Sequence, residues 1–347
     1  MLRIKLSVRG AGTGHNLSQF LGNEMNTIDG CRFFINEPID EADVWFVSED
    51  LEDSDQTCRV PPGQKIFISA ETSWEPGRYV PGTPQWDFIS QFDEIRSCHD
   101  IYMDNVVSEP PFLPWMINAN HGSTLLAPHL RDVNYFDKLK EVEKTKAISV
   151  FCSNQTLTAE HRMRLRFVEQ IKAHFGDRLD WFGNGINSLP AKWEGLAPYR
   201  YTIVLENQSS ANIFTEKIYD AYLAMSYPIY WGAPNLGEYF QESGFRKINI
   251  RDLHGSIQIL EEILQSDLAE RSQAALLENK SRVINGLNLF KRLAAIANER
   301  SGKQQEASES SEVYPIGHFT QLGKQKTAKK FVGAGFTRIG NRLSGDK

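Results

Sequence analysis

Little in these 347 residues would anchor the chain, staple it or charge it in one direction. The only cysteines are Cys31, Cys58, Cys98 and Cys152. They have neither the close CxxC spacing of a metal site nor the density of a disulfide framework, so a reducing compartment fits best. No uninterrupted apolar run reaches the length of a membrane span, and the opening MLRIKLSVRGAGTG alternates like a strand instead of forming an apolar signal core. The expectation is a cytoplasmic chain without a Golgi-type anchor or an export signal. A basic excess is missing too. Lysine and arginine number 38 against 44 acids, a net charge of −6, which excludes nucleic acid as a partner of the protein's body. Nor is this the composition of a disordered or fibrous chain: 41% hydrophobic and 11% aromatic residues belong to an ordinary globular protein, long enough for two domains.

What is present reads first as strands. LRIKLSV, CRFFIN, DVWFVSED, KIFISAE and WDFISQF are short apolar runs ending in polar or glycine punctuation, with segments such as NLSQFLGNEM between some of them. This pattern favours an α/β sheet over a sandwich. The proline-rich SEPPFLPWM and the charged FDKLKEVEKTK form a connector. A second series follows: AISVFCSN, RLDWFGNG, YTIVLEN, PIYWGAPN and RKINIRD. Between its first two members, Met163, Phe167 and Ile171 recur every four residues and Gly176 supplies a stop, which makes a β-α-β unit.

The reading is therefore two Rossmann-like domains facing a cleft, residues 1–140 and 141–302, the second trailing helices from Ser256 to about Ser301. Sugar transferases call this arrangement GT-B, and a dehydrogenase shares the outline. Residues 303–347 read as a polar linker, KQQEASESSE, followed by a basic tail. In the tail Lys324, Lys326, Lys329, Lys330, Arg338, Arg342 and Lys347 face one acid, Asp346. It reads either as a peripheral anchor for anionic lipid or, since Gly333, Gly335 and Gly340 weaken any helix there, as a plain disordered tail.

One stretch conflicts with local rules. LENQSSANIFTEKIYDAYLAM reads as a strand end, a loop and a helix that opens on Thr215, Glu216 and Lys217. A cation is out of place at the positive end of a helix unless an anion also sits there, and such conflicts concentrate at functional sites. With Thr215 as the cap, Lys217 and the helix dipole make a phosphate site, to which Arg164 on the earlier helix adds a second cation.

This stretch resembles the signature of the family 10 glycosyltransferases, the α-1,3/1,4-fucosyltransferases. The counterparts are LEN from Leu205 to Asn207, NIFTEK from Asn212 to Lys217, and PIYWGAP from Pro228 to Pro234, in matching order and spacing. Similarity extends from about Lys65 to Asp252 and takes in HRMRLRFV, WFGNG and APYRYTIVLEN. The resemblance implies an inverting, metal-independent transfer of L-fucose from GDP-fucose to a hydroxyl of an N-acetylglucosamine-containing glycan. In a cytoplasmic setting the acceptor would be a surface polysaccharide or lipopolysaccharide-type oligosaccharide. GDP-fucose would be the donor and no cofactor would be required. Arg164 and Lys217 would hold the phosphates, Glu216 the ribose, and Asn207 a nearby polar contact. Glu71, after the strand KIFISAE, would be the base that accepts the acceptor's proton. The chain departs from the family pattern where Asn212 and Ile213 stand in place of Asp-Tyr.

Several alternatives remain on sequence grounds. Glu75 and Asp87 compete with Glu71, and Arg162 and Arg166 with Arg164. Glu206 is a donor contact or a structural acid, and Trp231 a sugar-stacking or a core residue. Asp53-Ser54-Asp55 has the DxD spacing of metal-dependent transferases but is more commonly an acidic loop. GAGTG from Gly10 and GNG from Gly183 read as turns. His15, His99, His121, His161 and His254 show no ligand spacing and read as structural. The other function classes are a transferase with another nucleotide sugar or with a metal, and a non-catalytic glycan- or nucleotide-binding relative.

Overall fold

A computed structural model describes residues 1–9, 26–51, 54–70, 72, 77–119, 131–301 and 310–323. Strands β1 (Leu2–Val8), β2 (Thr27–Ile28), β3 (Cys31–Ile35), β4 (Val44–Ser48), β5 (Gln56–Arg59), β6 (Lys65–Ile68), β7 (Glu94–Ser97) and β8 (Val106–Ser108) come first along the chain. All but β5 join one sheet in the order β2-β3-β1-β4-β6-β7-β8, parallel except for the β2–β3 pair. Its central strand β4, VWFVS, is buried at every position. A parallel sheet covered on both faces demands such a continuous apolar run.

The second sheet holds β9 (Lys146–Phe151), β10 (Leu179–Phe182), β11 (Tyr199–Leu205), β12 (Tyr227–Trp231) and β13 (Arg246–Lys247). Its order is β10-β9-β11-β12-β13, parallel throughout. Each sheet reverses its winding direction once, between β1 and β4 in the first and between β9 and β11 in the second. At such switch points the loops beyond the strand carboxyl ends part, and open α/β sheets bind ligands there.

The carboxyl ends of the two sheets face each other. Gln208, just past β11, donates from Nε2 to the Thr72 carbonyl beyond β6 at 2.9 Å. Asn212 donates to Ser108 Oγ at the end of β8, 3.1 Å away. This is the GT-B arrangement.

Helices α1 (Pro84–Ile89), α2 (Val133–Lys138), α3 (Ala159–Phe175), α4 (Glu216–Leu223), α5 (Leu253–Leu264), α6 (Leu268–Arg271), α7 (Gln273–Asn285) and α8 (Leu289–Ser301) pack around the sheets. Helix α8 returns to the first sheet. Its Arg292 donates to the carbonyls of Pro110 and Pro111 at 2.7 and 2.8 Å, pairs with Glu109 at 2.9 Å, and lies over the Phe112 ring.

The structure corrects three expectations. WDFISQF is not a strand: Thr83 accepts from Trp86 N at 3.1 Å, Pro84 fits the first turn, and helix α1 results. The strand of this region is β7, just after it. The core does not end at the polar linker, because β14 (Ser310–Val313) pairs antiparallel with β5 and a helical stretch follows over 316–323. Val313, fully buried, joins Trp45, Phe67 and Phe88 in a second apolar cluster, and that burial holds the segment down. RKINIRD supplies only the two-residue β13.

The residues Gly10 to Gly14, NLSQFLGNEM, His15, His121, Asp53 and the basic tail from Lys324 lie outside the described residues. All four cysteines are buried. Among the described residues no helix is long and apolar enough to cross a membrane.

Candidate active site

The residues of the TEK motif meet Arg164 at the switch point of the second sheet. Strand β11 carries Glu206 and Asn207 beyond its carboxyl end, and α3 starts just after β9. Arg164 lies on the buried side of α3, 5% exposed, while Arg162 and Arg166 are exposed. Its Nη1 donates to Asn207 Oδ1 at 2.5 Å and to the Leu205 carbonyl at 3.4 Å. Its Nε is buried with no hydrogen-bond partner among the described residues. Among the described residues no carboxylate pairs with this guanidinium.

Lys217 has a different environment. Its Nζ lies 3.2 Å from Glu206 Oε2, 2.9 Å from Thr215 Oγ1 and 3.9 Å from Glu216 Oε1. Two acids thus neutralise the cation that the helix end disfavours. Glu206 is fully buried and also accepts from the backbone N–H of Thr215 at 2.9 Å and from its hydroxyl at 2.8 Å. This arrangement makes Glu206 a structural acid. It also corrects the expected cap: Thr215 stands at the N-cap position, but its hydroxyl is used on Glu206 and makes no cap bond.

Glu216, 21% exposed along its side chain, pairs with Lys192 at 3.4 Å, and Lys192 also pairs with the buried Asp220 at 3.0 Å. Burial alone would raise the Glu216 carboxyl. Lys217 and Lys192, with the Thr215 hydroxyl, outweigh it and hold the group at about 2. Asp220 is pushed up by burial, only partly offset by Lys192, while its Oδ1 accepts from Met116 N at 2.9 Å. Lys192 itself is raised because Asp220 and Glu216 outweigh its desolvation. Sequence reasoning missed Lys192 and Asp220. Asp220 falls one turn after Glu216, the only hint available, and nothing local marks Lys192.

The YWG motif has a packing reason. A Cβ on Gly232 would lie 2.5 Å from Glu206 Cγ and 2.3 Å from the Tyr230 hydroxyl, so glycine is required for Glu206 to lie where it does. Trp231 is 7% exposed and belongs to the main apolar core, the packing reading of that residue. Gly183 likewise sits against the Cys152 backbone, where a Cβ would lie 2.2 Å from the carbonyl oxygen.

Glu71 and Glu75 lie outside the described residues, and Asp87 is an exposed first-turn acid of α1. The neighbours of Glu71 are placed, however. Ala70 N donates to Glu49 Oε1 at 2.6 Å, and Thr72 is held by Gln208, the residue after Asn207. Glu49 has a φ of 65° at the end of β4, a conformation that costs a non-glycine residue energy and recurs at functional sites. Among the described residues no group of three or more His, Cys, Asp or Glu side chains is placed to hold a metal.

No family model matches the chain. A 61-residue stretch is 38% identical to an α-(1,3)-fucosyltransferase, FucT, of Helicobacter pylori. That stretch of the chain is similar to an α-1,3-fucosyltransferase. The match covers 18% of this chain and 12% of that relative. Among solved structures, an α1,3-fucosyltransferase with GDP aligns over 88% of this chain and 91% of its own, at 16% identity and a TM-score of 0.48. A fucosyltransferase structure with GDP-fucose covers 84% and 90% at 14% identity and a TM-score of 0.45. A glycosyltransferase from Rickettsia africae covers 87% and 99% at 10% identity and a TM-score of 0.42. Ile213, where many fucosyltransferases carry a tyrosine, is 3% exposed and belongs to the interior.

Proposed function

We propose that the chain transfers L-fucose from GDP-fucose, with inversion, to a hydroxyl of an N-acetylglucosamine-containing glycan. The observation that carries this reading is Arg164: a guanidinium that is 5% exposed, has no carboxylate partner among the described residues, and holds an unbonded Nε at the switch point. A buried charge without a counter-ion is strongly disfavoured. An anionic ligand that brings its own oxygens supplies what is missing. With Lys217 at the adjoining helix start, the pair fits a diphosphate, and the similarity to a fucosyltransferase supports GDP-fucose as the donor.

The chemistry follows from this placement. The acceptor oxygen attacks the sugar's anomeric carbon on the face opposite GDP, and Glu71 takes the hydroxyl proton as the new bond forms. The bond to the β-phosphate oxygen breaks, its electron pair leaves with GDP, and Arg164 and Lys217 stabilise the growing charge. Glu216, held ionised, accepts hydrogen bonds from the ribose hydroxyls, and Asn207, held by Arg164, offers a polar contact beside the donor. Buried Ile213 presents no hydroxyl to the donor, which favours one other reading: the same reaction with a different GDP-hexose.

Calorimetric titration with GDP and GDP-fucose, with and without chelator, tests the proposal. Metal-independent binding that Arg164→Met and Lys217→Ala weaken sharply is the expected result. Failure to bind either ligand would refute it, and tighter binding of another GDP-hexose would change the sugar but keep the site.

A further inference from the structure

His161 stands one turn before Arg164 on α3, so the two side chains share a helix face. Both carry a buried nitrogen with no hydrogen-bond partner among the described residues, Nδ1 of His161 and Nε of Arg164. Buried polar atoms are nearly always satisfied, and here two orphans share one helix face at the carboxyl edge of a sheet's switch point: Arg164 Nε lacks an acceptor, and so does His161 Nδ1 in every form that carries a proton there. Thr158 already caps the helix by accepting from His161 N at 3.1 Å, so the backbone at this end is provided for and the side chains are not.

We propose that His161 is a third ligand of the donor's diphosphate and that it takes up one proton from solvent as the GDP-sugar binds. This inference rests on the donor reading given above. The charged groups acting on the imidazole are Arg164 and Glu160 from its own helix and Lys217 from α4. Burial first, then the charges of Arg164 and Lys217, outweigh Glu160 and push its pKa below the usual histidine value. The ring is therefore neutral beside two cations when no anion is present. Bound diphosphate reverses the sign of that field, so the charged ring, with a donor on each nitrogen, becomes the favoured form. When the sugar–oxygen bond breaks, GDP carries one more negative charge, and the imidazolium opposes it most strongly at that point. The proton returns to solvent when GDP leaves.

The test uses GDP-fucose without acceptor. Its diphosphate is a diester and does not titrate near neutrality, whereas the terminal phosphate of GDP does. Titrations at pH 7 in two buffers of different ionisation enthalpy count the protons taken up. The native protein should take up a substantial fraction of one proton, and its affinity should rise roughly fivefold to tenfold from pH 8 to pH 6, since a shift of one pKa unit corresponds to a tenfold change. His161→Gln should bind more weakly, with no proton uptake and a flat pH profile. Following the His161 ring resonances against pH, with and without donor, gives the same answer without a variant: its pKa should rise on binding. Tight binding with no proton uptake and an unmoved ring pKa would overturn the role of His161 and leave the donor site standing. Absence of any GDP-fucose binding would overturn the donor reading itself, and this inference with it.

Discussion

The two ends of helix α4 hold lysines in opposite ways. At the carboxyl end Lys144, from the connector between the sheets, donates to the carbonyls of Ala224 and Ala197 at 2.9 and 2.7 Å. Among the described residues it has no acid partner, and burial pushes it down to about 7. The Ala224 carbonyl is at the helix carboxyl end, where the dipole favours a cation, and the two bonds tie the connector to the second sheet's surroundings even though burial disfavours the charge. At the amino end Lys217 opposes the dipole and lies among Glu206, Glu216 and, through Glu216, Lys192. A lysine kept where local electrostatics disfavours it, with acids assembled to hold it, is what the proposed donor site requires at this end of the helix. The lysine at the favourable end is a fastening.

Removing Lys192 should have the largest effect on this contrast. Lys192→Met would leave buried Asp220 and mostly buried Glu216 without their shared cation. Breaking a buried pair costs about 3–5 kcal/mol. Denaturant unfolding of the variant should show a loss of that order, and donor affinity should fall with it because Glu216 loses its anchor. A stability change below 1 kcal/mol would mean that Asp220 protonates at little cost, and the network would lose its place in the account.

Lys217→Met should lower affinity for GDP-fucose roughly 30- to 100-fold, the range expected for one charge-assisted contact of about 2–3 kcal/mol. Lys144→Met, at the other end of the same helix, should leave affinity within about twofold. Equal losses in the two variants would erase the distinction between a ligand-handling end and a fastened end.

The two ends also differ in their dependence on pH. Lys144 titrates near 7 in the folded protein against an ordinary 10.5 when unfolded. Between those values the unfolded chain binds the extra proton, so stability rises with pH across that window. Glu216 is opposite in kind: with its folded value near 2 against 4.5, its contribution is complete above 4.5 and is lost as pH falls toward 2. Unfolding measured from pH 7 to 10 should show the native protein gaining about 3–4 kcal/mol relative to Lys144→Met. A flat difference would place the lysine in solvent.

Much of this was legible in the sequence because its causes are local. Continuous apolar runs such as VWFVS and YTIVL are what a doubly covered parallel strand demands. The four-residue recurrence of Met163, Phe167 and Ile171 gave α3. The out-of-place Lys217 singled out a helix start at which the fold gathers Glu206, Glu216 and Lys192. Other features depend on distant partners and could not be read. WDFISQF has the composition of a strand, and only the Thr83 and Pro84 start, upstream of the run, turns it into a helix. Ser310–Val313 looks like linker until β5 is there to pair with it. Thr215 was expected to cap its helix, but Glu206, nine residues earlier, claims the hydroxyl. Lys192 reaches Glu216 and Asp220 only through the fold, and among three alternating arginines burial alone singles out Arg164.

The smallest expected effect concerns Trp231, which the sequence left between sugar stacking and packing. At 7% exposure, at the end of β12 and within the core, it has little surface to offer a ligand. Trp231→Phe keeps an aromatic ring and removes volume. A volume change of this kind inside a packed core costs roughly 1–2 kcal/mol, and GDP-fucose affinity should stay within about twofold. The acids and cations at the start of α4 would then hold the donor without help from the strand behind them. A tenfold loss of affinity with unchanged stability would move Trp231 from the core to the ligand, and with it the boundary between the part of this sheet that packs and the part that binds.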